Sequence, residues 1–130
     1  MSAREALVRN FFDALNRGDG EACAALLAED CRYVDAQGIE LRGVIACANL
    51  AAGLKLIDPD FYVDVQSSVR RNDEFLLRGV IHCSDDRFAG ETMWRVEMDG
   101  NRIARLEATA GRFASVVKAV RKIDPGLDGD

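Results

Sequence analysis

The sequence predicts an α+β fold, with helices gathered early in the chain and a strand meander after them. Three observations predict it. Apolar residues recur at helical spacing in the first half, punctuated by capping residues. After Phe61 they alternate with polar ones at period two. Asp99-Gly100 stands between two such runs, the strongest short hairpin signal in the chain. With 130 residues, 48% of them hydrophobic, one domain spanning 1–130 is expected, with a core over about 3–113 and a tail over 114–130.

The opening helix starts at the capping box Ser2-x-x-Glu5. Leu7, Phe11, Ala14 and Leu15 form its inner stripe, widened by Val8 and Phe12, and Arg17-Gly18 stops it. Asp19 caps a second helix, Gly20 to Ala28, with Cys23, Leu26 and Leu27 inward. Strand character begins at Cys31 and runs to Asp35. Ala36-Gln37-Gly38 turns the chain into a short partner strand, Ile39 to Leu41. A third helix, about Val44 to Leu54, is apolar nearly all round and should be buried. Ile57-Asp58-Pro59-Asp60 ends that segment in a loop.

Four strands follow: Phe61 to Arg70, Glu74 to Ser84, Gly90 to Met98 and Arg102 to Thr109. Alternation assigns Leu77, Gly79, Ile81, Thr92, Trp94, Val96 and Leu106 to one face. Arg78, His82, Arg95, Glu97, Arg105 and Glu107 fall on the other, as a cross-strand charge ladder. From Ser115 a helical turn or two is expected, and Asp124 to Asp130 should fray.

Lys+Arg number 17 against Asp+Glu 22, a formal net charge of −5. That balance argues against a nucleic-acid surface and against a polybasic membrane anchor. Glu5 stands where a signal peptide needs apolar residues, and Asn49 breaks the longest apolar run, so a cytoplasmic location is expected. Cys23, Cys31, Cys47 and Cys83 contain no closely spaced pair, which argues against a zinc or C-x-x-C redox motif. They read as buried or half-buried thiols, and no metal is expected.

Val8-Arg9-Asn10-Phe11-Phe12-Asp13-Ala14-Leu15-Asn16-Arg17-Gly18-Asp19 resembles the opening helix of the nuclear transport factor two-like superfamily. Leu26 to Asp35, then Gly38 and Leu41-Arg42-Gly43, continue the likeness, as do Trp94-Arg95-Val96 and Asp99 to Glu107. The resemblance covers about 3–109 and points to its SnoaL-like and ketosteroid-isomerase-like branches. It implies three helices packed into the mouth of a strongly curved antiparallel sheet, a cystatin-like cone with an internal apolar pocket. It also implies a homodimer formed through the outer sheet face.

The resemblance to ketosteroid isomerases, whose carboxyl groups are tuned by their surroundings, places a general-base Asp at Asp35. Their oxyanion donors fall at Phe11 and Thr92 (Met93 if the register slips by one), which do not match. Epoxide hydrolases need an Asp-Arg-Asp set inside the pocket, and Arg78 and Arg95 fall outside by alternation. Dehydratases resembling scytalone dehydratase need two pocket histidines, and His82 is alone and outward in phase. By its phase Glu107 is a salt-bridge partner of Arg105, although a late carboxylate is the base in SnoaL-like cyclases.

The expected activity is cofactor-free proton transfer, of isomerase or cyclase type, on an apolar ring substrate bearing a carbonyl. Asp35 would be the base, with Tyr33 and Thr92 orienting the carbonyl and Phe11, Phe75 and Trp94 packing on the rings. The alternative is a non-catalytic small-molecule binding or dimerisation module in which Asp35 caps the Ala36-Gln37-Gly38 turn.

Overall fold

The computed structural model describes residues 2–111 and 113–128. Ser2 accepts from the Glu5 amide and starts α1 (Ala3–Arg17), which ends at Gly18 in the left-handed conformation. Asp19 accepts from the Ala22 amide and opens α2 (Gly20–Leu26). That helix is shorter than its pattern predicts, because Leu27 and Ala28 already belong to β1 (Leu27–Val34) and are buried there. β2 (Glu40–Arg42) returns along β1, and α3 (Val44–Ile57) follows. β3 (Tyr62–Arg71), β4 (Glu74–His82), β5 (Gly90–Asp99) and β6 (Arg102–Ala110) make the meander.

The six strands form one sheet in the order β2-β1-β6-β5-β4-β3. All neighbours are antiparallel except β1 and β6, a parallel pair that joins the helical half of the chain to the meander. Register shifts at Val65/Ser67, Met93/Trp94 and Glu97/Met98 bend the ladder, as bulges do. The last shift leaves Ile103 opposite Met98 and buried, so Ile103 replaces Ala104 on the inner face. Gly79 permits the curl at its tightest point: a Cβ there would stand 2.4 Å from the Asp64 carbonyl oxygen and 2.9 Å from the Trp94 ring.

The inner face carries Leu77, Trp94, Val96, Met98 and Leu106, packed against Phe11, Phe12, Leu50 and Leu54 of α1 and α3. On the outer face Arg95 pairs with Glu74 and Glu97, and Arg105 pairs with Glu107, as the alternation requires. His82 is also on that face, tilted against Tyr62. The free edge of β3 is covered at its start by Asn16, whose amide donates to the Val63 carbonyl and accepts from the Val63 amide.

The tail has the expected two helical turns after Ser115 and departs from expectation beyond them. Residues 116–123 form a complete helix, α4 (Val116–Ile123), capped by Ser115. Val116, Val117 and Val120 face the core, and Val120 nests against Gly53 of α3, where a Cβ would come within 2.2 Å of it. The expected fraying of 124–130 does not hold through Asp128. Leu127 is fully buried, Asn49 donates to its carbonyl, and Arg121 pairs with Asp128. Gly129 and Asp130 lie outside the described residues. No described helix is long and apolar enough to cross a membrane.

Candidate functional site

α1, α3 and the inner sheet face meet around a narrow apolar cavity of about 30 Å³, room for about two water-sized molecules. Phe11, Phe12, Leu50, Phe61 and Trp94 are among the side chains that line it. A second cavity of about 20 Å³ lies toward the open end of the cone, bounded by Thr92, Phe88, Ala108 and Phe113. Tyr33, Phe61, Ile81, Trp94 and Val116 line both, so one row of side chains divides a single apolar channel. Val116 belongs to α4, which therefore closes the space the helices and sheet enclose.

Three residues singled out from the sequence line this space: Phe11, Tyr33 and Trp94. Thr92 lines the outer cavity, but its hydroxyl donates to the Ala110 carbonyl at 3.0 Å. Phe75 is buried in the core and is not part of either wall. Tyr33 is half-buried and lines both cavities. Its hydroxyl has no hydrogen-bond partner among the described residues. Burial, and then the charge of nearby Asp35, push the phenol above its ordinary range, so the group is a donor.

Asp35 is only 1% exposed and lines neither cavity. Its Oδ1 accepts from the amides of Gln37 (2.9 Å) and Ile39 (3.0 Å). Its Oδ2 accepts from the Ser115 hydroxyl and from the Val117 amide (3.2 Å). A carboxylate offers about four lone-pair positions, and all four are used. The first pair fixes the turn after β1; the second holds the N-terminus of α4, where a negative charge also meets the positive end of the helix. Gln37 reinforces the link by donating to the Phe113 carbonyl at 2.7 Å.

Sequence reasoning did not find Ser115 and Val117 as partners of Asp35. They stand some 80 residues away, and only the fold brings them together. A local signal for α4 was present: a Ser cap, valines at 116, 117 and 120, and Arg121-Lys122 in the last turn.

The SnoaL-like domain family matches residues 8–115 of this chain. A candidate polyketide cyclase from Sinorhizobium meliloti aligns over 84% of this chain and all of its own, at 21% identity and a TM-score of 0.72. A ketosteroid-isomerase-like protein from Catenulispora acidiphila, solved in complex with trimethylamine, aligns over 81% of this chain and 85% of its own, at 18% identity and a TM-score of 0.67. A de novo designed protein with a curved β-sheet covers 95% of this chain and 99% of its own, at 16% identity and a TM-score of 0.75. At such identities these structures share the fold and nothing finer. No curated protein matches the chain.

Ser115 both caps α4, accepting from the Lys118 amide at 3.0 Å, and donates to Asp35. Ser115→Ala should therefore lower the unfolding free energy by about 1–2 kcal/mol in urea titrations. Unchanged stability would mean that α4 docks without this link. The match over most of the chain, together with the bent sheet and the helices packed on it, makes this protein a member of the SnoaL-like domain family within the nuclear transport factor two-like superfamily.

Proposed function

We propose that this domain binds a small apolar molecule carrying one hydrogen-bond acceptor, such as a cyclic ketone, inside the cone beneath α4. The observation that carries this reading is Tyr33, whose side chain lines both cavities among mainly apolar residues. The hydroxyl has no hydrogen-bond partner among the described residues, and a ligand carbonyl would accept from it.

The proton-transfer reading has less support. It requires the Asp35 carboxylate to leave four donors and turn toward a cavity that it does not line. Thr92, the matching oxyanion position, already donates to backbone. Binding without turnover needs neither group.

Pockets for drug-sized ligands are about 300–1,000 Å³, an order of magnitude larger than this channel. The ligand must therefore enter a form in which α4 has moved, and the hydrogen bonds at Asp35 set how rarely that form occurs. Titration with prodan, an environment-sensitive naphthyl ketone, tests this. Saturable one-to-one binding is expected, tighter in Ser115→Ala and weaker by about tenfold in Tyr33→Phe, the loss of one net hydrogen bond. Absence of saturable binding in both wild type and Ser115→Ala would overturn the reading.

For the assembly we propose a homodimer through the outer sheet face. Charges of both signs alternate there, so a two-fold-related copy can meet it with opposite signs opposed. Arg78 is exposed on that face and has no ion pair among the described residues. Light scattering should give a dimer mass that Arg78→Glu shifts toward monomer. A monomer at every concentration would refute it.

A further inference from the structure

Two of the four cysteines stand on one wall of the inner cavity. Cys31 points inward from β1, and Cys47 lies in the first turn of α3. The chain between them folds back tightly: the Gly43 amide donates to the Cys31 carbonyl at 2.8 Å, and the Cys47 amide donates to the Gly43 carbonyl at 3.1 Å. Cys47 Sγ is consequently 3.8 Å from the Cys31 carbonyl oxygen and 3.6 Å from that of Leu41. Both side chains are buried and line the same cavity.

The four thiols differ in their surroundings. Donation from the Cys47 thiol holds Cys31 below the ordinary thiol range, against the opposing effect of burial. Cys47 is pushed up by the same contact, while burial pushes Cys23 up to about 12 and raises Cys83. Cys31 is the one of the four held below the ordinary thiol range, and Cys47 is the thiol beside it on the cavity wall.

Cavity size selects the reagent. While α4 is docked, about 30 Å³ admits a molecule comparable to water and leaves no room for glutathione or a protein thiol. Hydrogen peroxide is small, neutral and of that size. We propose that Cys31 and Cys47 form a peroxide-reactive dithiol that closes into an intramolecular disulfide joining β1 to α3 across the cavity wall. The Cys31 thiolate attacks one peroxide oxygen; the O–O bond breaks, and the departing hydroxide takes the proton lost from the thiol and leaves as water. Cys31 is then a sulfenic acid. Cys47 attacks the Cys31 sulfur, the S–O bond breaks, and hydroxide leaves as a second water with the Cys47 proton. One peroxide is reduced to two waters while two thiols are oxidised to one disulfide. This site stands on its own geometry and does not depend on the ligand reading above.

Treatment of the full chain with hydrogen peroxide, followed by intact mass and non-reducing peptide mapping, tests the proposal. The expected product has lost two hydrogens, carries a Cys31–Cys47 crosslink, and reverts with dithiothreitol. Cys47→Ala should instead accumulate a sulfenic acid at Cys31 that dimedone traps, whereas Cys31→Ala should leave Cys47 reduced. Far-UV circular dichroism checks that both variants fold, and the wild-type map decides if either does not. A map showing Cys31 and Cys47 still reduced after Cys83 has been oxidised would overturn the proposal. So would a disulfide that uses Cys23 or Cys83.

Discussion

The carboxylate of Asp35 is the point on which the closed form of this molecule depends. It is buried, and it holds together two segments some 80 residues apart in the chain. The turn after β1 supplies two backbone amides, and the start of α4 supplies a hydroxyl and a third amide. Burying a charge is unfavourable unless its lone pairs are filled, and here they are. Because a carboxylate only accepts, the partners must be donors. A free helix N-terminus is a ready source of them, and α4 presents its N-terminus at this point.

Once α4 is anchored there, the rest of the closed end follows. Val120 fits against Gly53, Leu127 is carried into the core, and Val116 covers the channel between helices and sheet. The interior left behind is small, filled from α1, α3 and the sheet and covered by Val116 of α4. Tyr33 and the Cys31–Cys47 pair occupy walls of the same space, on β1 and α3. Whatever reaches either must be very small or must wait for the lid.

Local order was legible in the sequence. The Ser2 and Asp19 caps, the Asp99-Gly100 turn and the alternation of β4 and β5 each rest on residues within one element or one turn, and each recurs in the structure. The inward direction of Tyr33 and Trp94 followed from period two alone. What was not legible is non-local. The environment of Asp35 is set by Ser115 and Val117, so its alternation with Cys31 and Tyr33 suggested a pocket carboxylate where the fold builds a buried clamp. Likewise Asp124 to Asp128 has the composition of a loose end, and the burial of Leu127 with the Asn49 and Arg121 contacts holds it down.

The central claim is that the Asp35 carboxylate works as an acceptor joining turn and lid. Asp35→Asn keeps the shape and removes the charge, and its amide nitrogen cannot accept from Ser115 and Val117. The unfolding free energy at pH 7, compared with wild type, measures that acceptor directly. A loss of about 1 kcal/mol or more is the predicted result. Stability that is unchanged or increased would contradict it, since that is the behaviour of a carboxylate kept for chemistry at the expense of the fold.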